Sequence, residues 1–98
     1  MENDDLLPIE QLCNHYNIEV SFVHALTDFG LIEITTVEQV PCLAKVQIRD
    51  LEKLIRLHYE LEINMEGIDA ISHLLKKVDT LQAELNSLRN RMRLYERN

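Results

Sequence analysis

The stretch NIEVSFVHALTDFGLIE, residues 17–33, decides how the chain is read. Phe22, Val23, Leu26 and Phe29 recur at helical spacing and make one apolar side. Asn17 breaks a preceding helix, Glu19 opens this one, and Gly30 supplies the left-handed residue on which helices commonly end. The outward stripe is Asn17, Ser21, His24 and Asp28, a polar face with no fixed cation. A helix of this shape would suit a DNA groove, yet DNA affinity rests on Lys and Arg neutralising phosphate. Glu19, Asp28 and Glu33 stand here instead.

Working outward, residues 1–6 read as a frayed acidic tail, and Pro8 suits the first turn of a helix. Ile9, Leu12, Cys13 and Tyr16 then give a short first helix. After Gly30 the chain changes character. Leu31, Ile32, Ile34, Thr35, Thr36 and Val37 are largely β-branched, a polar turn follows at Glu38-Gln39, and Val40, Leu43 and Val46 lie beyond it. This predicts a two-stranded hairpin, with Pro41 at an edge because it lacks a donor. A third helix is expected from about Ile48 to Leu61, with Leu51, Leu54, Ile55, His58 and Leu61 on one face, and Asn64 can cap a fourth.

The most regular signal comes last. Ile71, Leu74, Val78, Leu81, Leu85, Leu88, Met92 and Tyr95 alternate spacings of three and four, which is a coiled-coil seam. Asp79 with Gln82 also resembles a capping box, so a bend is expected between Lys76 and Asp79. The organisation that follows is a first domain over 1–75 and a dimerisation helix over 76–98. β-branched Ile71 and Val78 alternating with Leu74 and Leu81 would favour a parallel pair.

The composition suits one small, mostly helical domain. Of 98 residues, two are Gly and two are Pro, which leaves little room for long loops or a β-sandwich. The formal net charge of −7 is unevenly placed. No Lys or Arg precedes Lys45, whereas Lys76, Lys77, Arg89, Arg91, Arg93 and Arg97 crowd the last stretch. An acidic first half points to a basic partner. Lys45, Arg49, Lys53 and Arg56 read as a solvated face of the third helix. The chain starts without a signal-peptide pattern, and no segment is long and apolar enough to cross a membrane, so a cytoplasmic location is expected. Cys13 and Cys42, among apolar neighbours, read as buried reduced thiols.

Nothing in the sequence carries catalysis. His15, His24, His58 and His73 are scattered, and no helix pairs two at metal-ligand spacing. Gly-rich phosphate loops and nucleophile motifs are missing. No enzyme activity, metal, cofactor or small-molecule substrate is expected.

In this order the elements resemble the MerR-type winged helix-turn-helix: two short helices, a wing, two more helices and a dimerising C-terminal helix. In that superfamily the turn and recognition helix look like V-S-x-x-T-L-R-Y-Y-E-x-x-G-L-I. Anchored on Gly30-Leu31-Ile32, the pattern puts Ile18 at its Val, Val23 at its core Leu and Leu26 at an apolar aromatic position. The DNA-facing residues depart from it. The motif's Arg falls on His24, its first Tyr on Ala25 and its Glu on Thr27, and the Pro that usually follows the turn is missing. MerR-type metal sensors place cysteines near the start of the final helix, where residues 76–81 have none.

A narrower likeness lies further along. RLHYELEINMEGIDAI, residues 56–71, resembles the R-L-x-x-E-L-x-x-x-x-x-G-I segment of the CbpM-type chaperone modulators. LNSLRNRMRLYE, residues 85–96, is similar to their Leu- and Arg-rich final helix. The resemblance implies an all-α fold with a small β-hairpin wing, working as a homodimer with antiparallel final helices. It implies a partner as well, the J domain of a CbpA/DnaJ-type co-chaperone, whose work with Hsp70 such proteins restrain. J domains carry a basic helix, which an acidic face of Glu19, His24, Asp28, Glu33 and Glu38 would meet. Two other classes stay open: a MerR-type regulator reading DNA through the wing and third helix, and a coiled-coil oligomeriser. For the adaptor of a J domain, DNA affinity is expected to be weak or none.

Overall fold

The computed structural model describes residues 5–96. The carboxylates of Glu2 and Asp4, the Arg97 cation and most of the expected acidic tail lie outside them. Four helices and one small sheet follow in the order β1 (Leu6–Pro8), α1 (Ile9–Tyr16), α2 (Val20–Asp28), β2 (Ile34–Val37), β3 (Val40–Ala44), α3 (Ile48–Ile55) and α4 (Met65–Glu96). The fold is the helical winged helix-turn-helix that the resemblance implies, with a long C-terminal helix.

Local chemistry sets the boundaries. Asn17 ends α1 in the left-handed region, φ 57°, where its short polar side chain is tolerated. Gly30 turns the chain after α2 at φ 74°. Glu38 and Gln39 both have positive φ, at 50° and 70°, so a two-residue type I′ turn joins β2 to β3. At Asn64 the side-chain Oδ1 accepts the Gly67 N–H at 2.8 Å, a cap that starts α4.

Several expectations need correction. The hairpin is part of a three-stranded antiparallel sheet of order β1-β3-β2, because Leu6, Leu7 and Pro8 pair with Ala44, Leu43 and Cys42. Leu6 therefore belongs to a strand and not to a frayed tail. β3 is the central strand, and Pro41 sits where β1 has ended, so its missing N–H faces an open side. The third helix does not run unbroken to Leu61. α3 stops at Ile55 and widens into a π turn over Arg56–Glu60, where the Leu61 N–H reaches back to the Arg56 carbonyl. Leu61 is left 63% exposed. Phe29 is turned partly out as the C-cap of α2, 38% exposed. No bend occurs at Lys76–Asp79, for α4 is one helix of 32 residues. With neither Pro nor Gly after Gly67, nothing there stops the helical hydrogen bonding, and Asp79 is an exposed mid-helix residue.

The core sits between α1, α2, α3, the sheet and the first turn of α4. Leu26, Leu43, Leu51, Ile68 and Val23 are almost wholly excluded from water. Each such side chain contributes about 1.5–3 kcal/mol. Cys13 and Cys42 are buried, unpaired thiols, and burial raises the Cys13 pKa. Among the described residues no polar or charged side chain is buried. Beyond Ser72 the described residues of α4 are all exposed, although Leu75, Lys76 and Asp79 still line a cleft with Asp50, Lys53 and Leu57, and the helix leaves the module only after Asp79. The radius of gyration, 17.9 Å, exceeds the roughly 13 Å of a compact domain of this length.

Candidate functional site

Two surfaces stand out: the outward side of α2 with the wing, and the apolar row along α4. α2 is fixed from beneath. Phe22, Val23 and Leu26 are buried, while Asn17, Ser21, His24 and Asp28 are exposed as their spacing predicts. The Phe22 ring stacks on His58, centroids 4.7 Å apart and planes at 16°, and Tyr59 meets it edge-on at 5.2 Å. The Tyr59 hydroxyl accepts the Glu19 backbone N–H at 3.2 Å, satisfying a donor at the start of α2. His58 Nδ1 lies 3.0 Å from the Ile63 carbonyl, which it can meet only as a donor. This aromatic joint holds the start of α2 against the π turn before α4.

Sequence reasoning missed that joint. Phe22 and the adjacent His58 and Tyr59 lie far apart in the chain, 36 positions or more. Its signals were the placing of Phe22 and His58 on the apolar faces of their helices and the aromatic neighbour Tyr59 shortly before Glu62-Ile63-Asn64.

The five acidic-face residues, Glu19, His24, Asp28, Glu33 and Glu38, are all exposed. His24 and Asp28 share one stripe of α2, and Glu19 stands at the N-cap position of its opposite end without a side-chain cap bond, roughly 14 Å from Asp28 at helical rise. Glu33 lies in the following loop, where Gln47 grips its backbone twice: Gln47 Oε1 accepts its N–H and Gln47 Nε2 donates to its carbonyl, each at 2.9 Å. Glu38 stands at the wing tip. Among the described residues no hydrogen bond or ion pair joins any of the five to another. Glu19 accepts the Ser21 hydroxyl at 3.2 Å. Asp28 ends α2, where the helix dipole disfavours a carboxylate, and the last turn has no basic residue to offset it.

Lys45, Arg49, Lys53 and Arg56 are exposed but not on one regular helix, since Lys45 precedes α3 and Arg56 opens the π turn. On α4, Ile71 is half-buried and Leu74, Val78, Leu81, Leu85, Leu88, Met92 and Tyr95 are exposed by 45–78%. Among the described residues no group of His, Cys, Asp or Glu is arranged to hold a metal ion, and no helix is long and apolar enough to cross a membrane.

A wing, a helix-turn-helix and a long final helix define a regulatory module of the MerR type. The sequence model of the MerR HTH family regulatory proteins matches residues 7–90, and the chain belongs to that family. No curated protein and no solved structure matches it.

Proposed function

We propose that the chain is a non-catalytic adaptor of the CbpM type. It binds the J domain of a CbpA/DnaJ-type co-chaperone in the cytoplasm and restrains its work with Hsp70. The observation that supports this most is the surface of α2. The helix that a DNA-reading relative would lay in the groove offers Ser21, His24 and Asp28, flanked by Glu19 and Glu33, with no Lys or Arg anywhere before Lys45. Such a surface repels phosphate and attracts a basic helix. Acidic rim residues set encounter rate and specificity more than affinity. The likeness of residues 56–71 and 85–96 to the CbpM-type modulators supplies the partner's identity.

The adaptor acts as a homodimer. The apolar row from Leu74 to Tyr95 is left in water by a single chain, and a second copy of α4 would cover it. The division into a module over 1–75 and a dimerisation segment over 76–98 is then one of role, within a continuous helix.

Family membership and the exposed Lys45, Arg49, Lys53 and Arg56 favour a second reading, a DNA-binding regulator. Titration calorimetry with the isolated J domain of a CbpA-type co-chaperone, beside the same titration with an inverted-repeat duplex, separates the two. Saturable binding of the J domain with weak duplex binding supports the adaptor. Tight duplex binding with no response to the J domain overturns it.

A further inference from the structure

The sheet has two edges with different defences. Val37 and Val40 flank the two-residue turn, so they form a hydrogen-bonded pair, as do Thr35 and Cys42 two steps on. The intervening residues, Ile34 and Thr36, therefore direct their N–H and C=O groups away from β3. Among the described residues neither takes part in a hydrogen bond outside the ladder. The same alternation turns the nitrogen of Pro8 outward on β1, where it has no proton to give. The β1 edge is thus short and blunted, while β2 reads Ile-Thr-Thr-Val, every residue β-branched and neither Pro nor Lys among them. Exposed Glu33 and Glu38 bracket it. Its ends are preset by the Gln47 grip on Glu33 and by the tight turn at Glu38.

We propose that β2 is a docking edge for an extended, basic segment of a partner protein. The segment adds as a fourth strand, exchanging hydrogen bonds with Ile34 and Thr36. It sets Lys or Arg, about five residues apart at strand rise, against Glu33 and Glu38. Charge selects this occupant. A second copy docked antiparallel on the same edge, with Ile34 opposite Thr36, would bring Glu38 of each chain to within one position of Glu33 of the other, and like charges held that close disfavour the pair. Phosphate is repelled by the same carboxylates. The inference concerns the wing and stands whether or not α2 binds a J domain.

The test is a titration of the isotope-labelled full chain with a synthetic peptide of alternating Thr and Val, flanked by two lysines at each end. Saturating peptide should slow amide exchange at Ile34 and Thr36 by about tenfold or more, as new hydrogen bonds protect them. Thr35 and Val37, already in the ladder, should change little. The same peptide N-methylated at the pairing positions keeps its charge and should not bind. Glu33→Gln with Glu38→Gln should weaken the unmodified peptide about three- to tenfold at low salt. Thr36→Pro removes an outward donor and no rung of the β2–β3 ladder, and it should abolish binding. If that variant unfolds, the N-methylated peptide decides alone. Equal binding of the N-methylated peptide would reduce the effect to charge and overturn the proposal. So would no binding at millimolar peptide, or protection of Ile34 and Thr36 that grows with protein concentration alone, the mark of a second copy.

Discussion

The Tyr16 hydroxyl donates a 2.7 Å hydrogen bond to Glu52 Oε2, tying α1 to α3 across 36 positions of sequence. That bond to Glu52 is the largest cause of a phenol pKa raised above its usual 10.0, with burial and the carboxylate's charge adding to it. Tyr16→Phe should cost about 1 kcal/mol in a denaturant titration near neutral pH. The sign with pH follows from the raised value. The neutral phenol is the form that donates, so the contribution is whole below about pH 10 and is lost as pH rises through the folded-state value. The stability gap between wild type and Tyr16→Phe should close under alkaline conditions. A late-ionising component of the phenolate absorbance should disappear in the variant.

The start of α4 depends on Asn64, whose side chain caps the Gly67 N–H. Asn64→Ala should destabilise by about 1 kcal/mol and Asn64→Asp by less, read from denaturation midpoints. Gly67→Ala should also destabilise, because an added Cβ would lie 2.7 Å from Ile63 Cγ2. Equal midpoints for Asn64→Ala and wild type would show that the cap contributes nothing measurable.

Much of this architecture was legible because its signals are local. Asn17, Gly30 and the Glu38-Gln39 turn each act through their own backbone, and the stripes of α2 and α4 follow from period alone. What was lost depends on distance. The three residues of β1 carry too little pattern to declare a strand, and only pairing with β3 makes them one. Asp79 with Gln82 has a capping box's composition, but a cap forms only where the chain leaves the helix, and nothing there forces it out. The α2 surface was readable residue by residue, whereas the Phe22–His58–Tyr59 joint beneath it joins residues far apart in the chain within a π turn that no spacing announced.

The exposed row on α4 predicts a concentration-dependent dimer. Leu85 lies near its middle and is 45% exposed in one chain. Leu85→Asp should yield monomers in sedimentation velocity at concentrations where the wild type is dimeric, since burying a carboxylate in an apolar seam costs several kcal/mol. Helicity should fall as well, because in a single chain α4 beyond Asp79 has no neighbouring element to support it. A variant still dimeric would move the interface off the seam.

DNA should be bound weakly and without sequence preference. With the cations confined to Lys45 and beyond, few phosphates can be neutralised at once, so the slope of log affinity against log salt should be shallow. Fluorescence anisotropy with an inverted-repeat duplex and a scrambled control measures this. A steep slope with a preference for the repeat would return the chain to the DNA-binding class.

Reversing Glu19, Asp28 and Glu33 to Lys together separates folding from recognition, because the structure shows what each does for the fold. The Glu19 backbone is held by Tyr59 whatever its side chain, so the reversal loses only the 3.2 Å contact from Ser21 and a favourable charge at the helix start. Glu33 is held through its backbone by Gln47 and should tolerate the change. At Asp28 a cation at the C-terminal end of α2 should add about 0.3–1 kcal/mol of stability. The gains and losses nearly cancel, and the thermal melt should stay close to wild type. Association with the J domain should slow and its salt dependence flatten, while dissociation changes less, because rim charges act on the encounter. Asp28→Lys alone should raise the melting temperature while slowing association, a pairing that simple loss of fold cannot produce. A triple variant that melts normally and associates at the wild-type rate would leave these carboxylates as solvated surface and place the contact on α3 or on the outer flank of α4.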